Sequence, residues 1–278
     1  MSMLQSGAAA LRRGFAAVDA DADPAALVAF LDEAQAMARE YKQRSYDLMR
    51  LGPGQRVLDM GCGAGDDLVR LAERVGAGGR VVGVDPSRVM LEHARRRVAQ
   101  AAAPVELVRG SAYALALPDR AFDAARADRV LHFLAEPERV IAELVRVVRD
   151  RGRVVVSEPD HDTIVLDTSE PALTARLLEH RRRQGHILTP GRRLRRLFAA
   201  AALGEIEVVA LTGVATSFAV ADRLLSLTPS LRTAVDAGAI GLADALRWRT
   251  AVTRDDEDGR FLAAMTVFTA GGTCPERG

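Results

Sequence analysis

Arg56-Val57-Leu58-Asp59-Met60-Gly61-Cys62-Gly63-Ala64-Gly65 is the stretch that decides the fold. Its first residues read as an apolar strand, and Leu68, Val69, Leu71, Ala72 and Val75 mark the apolar stripe of a helix directly after it. Alternate glycines let the backbone turn sharply and approach a ligand closely at the start of that helix. The spacing is Gly-x-Gly-x-Gly, and the sixth position from Gly61 is Asp66. A dinucleotide fingerprint wants glycine or alanine there, so that the helix can sit beneath a pyrophosphate. The loop therefore suits a nucleoside ligand without a pyrophosphate, with the Asp59 carboxylate at the strand end beside it.

Val81-Val82-Gly83-Val84-Asp85 reads as the next strand, again ending in an acid. Asp85 lies 26 residues beyond Asp59, close to the separation of about 20 at which an acid reaches ribose hydroxyls in a βαβ unit. A carboxylate only accepts hydrogen bonds, so it favours a free ribose diol and repels a phosphorylated one. Together, Val57 to Gly65 and Val82-Gly83-Val84-Asp85-Pro86-Ser87 resemble the first two motifs of class I S-adenosylmethionine-dependent methyltransferases. That resemblance implies a Rossmann-like, doubly wound α/β sheet of seven strands with the last antiparallel, and S-adenosyl-L-methionine as cofactor.

The resemblance also distributes roles. Asp59 would help hold the amino-acid end of the cofactor, with Gly61, Cys62, Gly63 and Gly65 lining the loop; its other reading is a cap of the glycine turn. Asp85, followed by Pro86, would take the ribose, while Ser87 and Met90 either touch ribose or adenine or simply cap and pack. Gly110-Ser111-Ala112 follows the third strand. Many relatives carry an acid at the Ser111 position, and a serine accepts a bond from the adenine amino group more weakly, leaving recognition to the Ala112 main chain.

Asp128-Arg129-Val130-Leu131-His132-Phe133 resembles the segment after the fourth strand in the small-molecule branch typified by ubiquinone and menaquinone biosynthesis. There the backbone around Asp128 and Arg129 lies near the methionine end, and His132 faces the acceptor. An imidazole titrates near neutral pH and can take a proton. Ser157-Glu158-Pro159-Asp160-His161-Asp162 places three acids and a histidine beyond the fifth strand, with Asp160 and His161 the leading candidates for orienting or deprotonating an acceptor. His180 and His186 flank Arg181-Arg182-Arg183 and are weaker candidates for the pocket wall. In Arg192-Arg193-Leu194-Arg195-Arg196-Leu197-Phe198 the apolar residues recur at helical spacing, so the arginines read as a solvated face. Trp248 and Phe218 read as pocket walls or as packing of the inserted segment.

Composition sets the outer limits. The 278 residues are 49% hydrophobic and 27% charged with a net charge of +1, so no basic field points to nucleic acid, and 4% aromatic content offers few stacking platforms. Lysine occurs once, at Lys42, which leaves 37 of the 38 basic residues as arginine. Cys62 and Cys274 give no disulfide framework and no metal-ligand spacing, so no metal is expected. No apolar run approaches the roughly 18 residues of a membrane span and no signal peptide is evident, so a cytoplasmic location without membrane contact is the expectation.

Along the chain, strand 56–60, helix 66–76, strand 80–84, helix 87–101, strand 105–108, strand 122–127, helix 136–149 and strand 152–158 alternate as in a parallel sheet. Helices at about 170–184 and 190–203, strand 205–212, helix-like sequence over 218–259 and a strand from Arg260 to Ala270 follow. The domain reading is an N-terminal helical lid over 1–50 and a methyltransferase domain over 51–278, with acceptor-covering segments at about 160–204 and 218–259. Functionally, the resemblance implies methyl transfer to an oxygen, nitrogen or carbon of a small molecule, and the apolar Leu, Phe and Trp of the covering segments point to a partly hydrophobic one, such as a secondary metabolite. A nonmethylating cyclase or ligand-binding relative, or an RNA or protein methyltransferase, is the competing expectation.

Overall fold

The computed structural model describes residues 38–183 and 190–276. Seven strands form one sheet in the order β3-β2-β1-β4-β5-β7-β6. They are β1 (Arg56–Met60), β2 (Arg80–Asp85), β3 (Val105–Arg109), β4 (Phe122–Asp128), β5 (Val148–Asp167), β6 (Gly204–Ala215) and β7 (Leu262–Thr273). The first five run parallel, and β7 is antiparallel to both β5 and β6. Chain order reverses between β1 and β4, so a crevice opens beyond their carboxyl ends, where such sheets bind ligands.

Helices cover both faces. Helix α1 (residues 38–48), α2 (Asp66–Val75) and α3 (Arg88–Arg97) lie on one side, where Tyr46, Met49, Leu68, Leu71, Val75 and Leu91 pack on Val57, Val81, Ala124 and Val155. On the other side Val140, Ile141, Leu144 and Val147 of α4 (Pro137–Val147) meet Leu58, Val82, Ala125 and Val156. Strands buried on both faces read as near-continuous apolar runs, which is why their positions were legible.

Helix α6 (Pro190–Ala200), within the segment expected to cover the acceptor, packs on the sheet. Leu194, Leu197 and Phe198 belong to the same core as α4 and the sheet. The helix can lie this close because a Cβ on Gly191 would fall 2.7 Å from the Glu158 carbonyl oxygen, and one on Gly272 would fall 3.0 Å from Phe198.

The fifth strand also departs from expectation. It continues through Pro159-Asp160-His161-Asp162, because β7 still pairs with it (Pro159 with Val267, Asp160 with Thr266) before an irregularity ends at Val165. Beyond Ser157, which pairs with Asp128 at the end of β4, no strand among the described residues pairs with that side of β5. Proline is tolerated at such an edge.

The prolonged ends of β5, β6 and β7 carry a second core. Helices α5 (Pro171–Arg183), α7 (Phe218–Leu225), α8 (Leu227–Asp236) and α9 (Leu242–Glu257) pack there around Trp248, Phe218 and Phe261. Trp248 and Phe218 are thus interior packing of this helical layer. Of the expected N-terminal helix, residues 1–37 lie outside the described residues, as does His186.

A sheet-covering α6 has a measurable consequence. Phe198→Ala should cost about 3–5 kcal/mol by urea denaturation, the range for emptying a well-packed aromatic site; a loosely seated covering segment would lose less than about 1 kcal/mol.

Candidate active site

The glycine loop is clamped on both flanks. Gly61 has φ 74° and Gly65 φ 87°, a region L-residues rarely adopt. A Cβ on Gly61 would lie 2.4 Å from Val130 Cγ2, and one on Gly65 2.9 Å from Ala94 Cβ. The N–H groups of Gly61 and Cys62 both donate to the Val84 carbonyl. Cys62 is buried, which pushes its thiol pKa up and keeps it protonated.

Asp85 sits over the far side of the loop. Its Oδ2 accepts from Gly63 N and its Oδ1 from Ser87 N, both at 2.9 Å, so the carboxylate has a fixed orientation at the end of β2. Ser87 turns out to be the N-cap of α3, its Oγ accepting from Met90 N at 3.1 Å, and Met90 is a packed side chain. Pro86 holds the third strand in place through its carbonyl, which accepts from Arg109 Nε. Gly110 N donates to the Asp85 carbonyl, and Ser111 Oγ accepts from Tyr113 N within its own turn.

Beneath the loop lies an ionic cluster that sequence reasoning largely missed. Arg126, 1% exposed, is the register partner of Asp59 across β1 and β4. Its guanidinium reaches Asp67 at 2.8 Å, Asp128 at 3.2 Å and Asp59 at 3.5 Å. Lys42 of α1 adds bonds to Asp67 at 2.8 Å and Asp128 at 3.4 Å, and Tyr46 donates to Asp67. Tyr41 donates to Asp128, and Arg129 Nε comes within 3.8 Å of the same carboxylate. Two signals were available: an arginine inside an apolar strand must find a partner, and Lys42 is the one lysine of the chain.

The acids in this cluster are not equivalent. Burial alone would raise Asp67, but the charges of Arg126 and Lys42 override it and hold its carboxyl well below the usual range. Asp59 has only the longer contact to Arg126, and burial raises its pKa to about 7. Its Oδ2 is buried with no hydrogen-bond partner. An orphaned carboxylate oxygen at the mouth of a glycine loop is what a cationic ligand group would complete.

A second polar centre lies on the opposite face of the sheet. Glu158, fully buried, accepts from Val130 N at 2.7 Å and Leu131 N at 2.6 Å through Oε1, and its Oε2 lies 2.7 Å from His132 Nδ1. A carboxylate accepts, so His132 carries its proton on Nδ1 and keeps Nε2 as the basic nitrogen. His161 is 6.3 Å away, ring to ring. Burial, with the neighbouring Arg181 charge, lowers its pKa to about 3, so it is neutral and a poor proton acceptor near pH 7.

Asp160 is fully buried, and its carboxylate is taken up by the side chain of Arg192 and by the N–H groups of Arg192 and Asp162. It anchors α6 to β5 and is not placed to deprotonate an acceptor. Arg192, its side chain 48% exposed, is therefore solvated like the rest of the arginine run but also tied to Asp160. His180 bonds Thr233 within the helical layer. Among the described residues no cluster fit to hold a metal ion occurs.

Comparison with known proteins agrees with this geometry. Residues 57–152 match the model of a methyltransferase domain family. An uncharacterized 37.1 kDa protein in transposon TN4556 of Streptomyces fradiae is 37% identical over 87% of this chain and 69% of its own length. Demethylmenaquinone methyltransferase of Bacillus cereus is 33% identical over 46% of this chain, a match spanning 54% of that enzyme's length.

Among solved structures, YcgJ of Bacillus subtilis superimposes with a TM-score of 0.59 at 18% identity, over 86% of this chain and 100% of that one. Phosphoethanolamine N-methyltransferase 2 of Haemonchus contortus, bound to S-adenosyl-L-methionine, gives 0.51 at 16% identity over 84% of this chain and 53% of its own.

The chain belongs to the class I S-adenosylmethionine-dependent methyltransferases. Its cofactor is S-adenosyl-L-methionine. The donor set fits: an orphaned Asp59 oxygen for the ammonium group and an oriented Asp85 carboxylate for the ribose diol.

Two outcomes follow at the cofactor. Asp85→Ala should raise the calorimetric Kd for S-adenosylmethionine at least tenfold, about 1.4 kcal/mol. Asp59, raised to about 7, holds a proton below that pH, and a cationic ligand favours its ionised form. Affinity should therefore weaken roughly tenfold as pH falls from 7 to just below 6, and binding near pH 6.5 should release a proton. In Asp59→Asn that dependence should vanish.

Proposed function

We propose that this protein transfers the methyl group of S-adenosylmethionine to an oxygen, nitrogen or carbon nucleophile of a small, partly hydrophobic molecule, in a secondary-metabolite setting. The observation that supports it best is the Glu158–His132 pair, set on the turn that also flanks the glycine loop. The sulfonium supplies an activated methyl group, so the chain has to hold the acceptor in line and remove a proton where the nucleophile carries one. Holding both reactants can contribute about 7–11 kcal/mol.

His132 is the proton acceptor in this reading. Glu158 orients the ring through Nδ1, stabilises the imidazolium that forms, and is itself fixed by two main-chain N–H groups. His161, neutral and nearly buried, provides a hydrogen-bonding wall instead of a base. The apolar helical layer around Trp248 stands over the same end of the sheet and supports a partly hydrophobic acceptor. No helix among the described residues is long and apolar enough to cross a membrane.

With an accepted substrate, His132→Ala should lower kcat by about 10²–10⁴-fold while the Kd for S-adenosylmethionine stays within a factor of two. Glu158→Gln should lower kcat less than His132→Ala does. An equal loss of turnover and cofactor affinity in His132→Ala would make His132 a cofactor contact and remove the assignment.

A further inference from the structure

Four basic side chains among the described residues are buried: Lys42, Arg126, Arg153 and Arg181. Lys42 and Arg126 pair with Asp67, and Arg153 with Glu207. Arg181 differs. It is 7% exposed, yet its acceptors are all neutral: the Ser226 carbonyl at 3.2 Å, Ser230 Oγ, and His161 Nδ1 at 3.5 Å. No carboxylate among the described residues offsets its charge; burial alone acts on it, and lowers its pKa only to about 10. The guanidinium stays cationic at neutral pH. Its neighbours Arg182 and Arg183 lie on Glu179 instead.

A lone buried cation is costly unless an anion joins it. One edge of Arg181 has hydrogen-bonding capacity left for such a partner. Nε is buried with no hydrogen-bond partner, and Nη2, which shares that edge, makes only the long bond to neutral His161. Two parallel N–H groups on one edge of a guanidinium match the two oxygens of a carboxylate. A single cation amid neutral groups suits one negative charge better than the two of a phosphate.

The position matters as much as the charge. Arg181 touches His161, whose ring neighbours that of His132. His132 is held by Glu158, which also holds Val130, and Val130 abuts Gly61 of the cofactor loop. These contacts run unbroken from the cofactor loop to the interior of the helical layer. We propose that Arg181 selects an acceptor bearing a carboxylate, which docks on its Nε–Nη2 edge while the nucleophile lies toward His132. This rests on the methyltransferase reading above and names its substrate class.

The test uses the full chain saturated with S-adenosylhomocysteine, titrated calorimetrically with benzoate, 4-hydroxybenzoate and 2-naphthoate, each against its uncharged amide. At least one acid should bind tenfold or more tightly than its amide. Arg181→Met should erase that preference with S-adenosylhomocysteine affinity kept within twofold, and Arg181→Gln serves if the methionine variant does not fold. Parity of acid and amide in all three pairs, or a preference that survives loss of Arg181, overturns the proposal. Failure of the wild-type chain to bind S-adenosylhomocysteine would overturn the underlying methyltransferase reading instead, and the proposal with it.

Discussion

The guanidinium of Arg126, buried in the middle of the sheet, is the interaction on which the cofactor end of this fold depends. It joins Asp59 of β1, Asp67 of α2 and Asp128 of its own strand, while Lys42 and Tyr46 of α1 close on the same acids. Replacing such a network by apolar side chains can be neutral, whereas removing one member leaves a buried charge worth about 3–5 kcal/mol. The cluster therefore specifies more than it stabilises. It dictates which strands neighbour each other, and it seats α1 over the crevice by a charge contact that no apolar pattern could encode.

Within that cluster the acids divide their labour. Asp67 takes the shortest contacts of both cations and is locked as a structural anion. Asp59 is left with a longer contact and an unpartnered oxygen, so its ionisation is poised near neutrality. Because the structural work falls on Asp67 and Asp128, Asp59 can be held ready for a cationic group without the site losing its shape. If Asp59 meets the ammonium group of the cofactor, as the donor set suggests, that charge would restore the balance that burial has upset.

What could be read from sequence follows from the range of the interactions involved. The glycine loop, Asp59, Asp85 and the parallel strands are local: loop spacing and continuous apolar runs encode them within a few residues. Arg126, Asp67 and Lys42 meet only after three elements have packed, so a single window of sequence shows three unrelated charges. The same limit explains Asp160. Its apparent position beyond the fifth strand depended on where β5 ends, and β7, more than 100 residues later, decides that. Ser87 shows the converse, since a serine before a helix has a local reason to be there, and capping is what it does. Arg181 looked like one arginine of three, and only burial separates it from Arg182 and Arg183.

The two polar centres lie on opposite faces of the sheet, and one short segment belongs to both. Asp128 points into the ionic cluster beside α1, while four residues later His132 rests on Glu158 beside α4 and α6. The chain changes face through Arg129, whose φ of 57° is unusual for a non-glycine residue and is held by its N–H donating to the Ser157 carbonyl at 2.8 Å. Val130 then presses against Gly61, so the glycine loop and the His132 turn cannot shift independently. On the proposed reading, the distance between methyl donor and proton acceptor is set by this single turn, not by the helical layer above it. Reshaping α5 and α7 to α9 would then change which acceptor enters while leaving the alignment of the reacting groups intact.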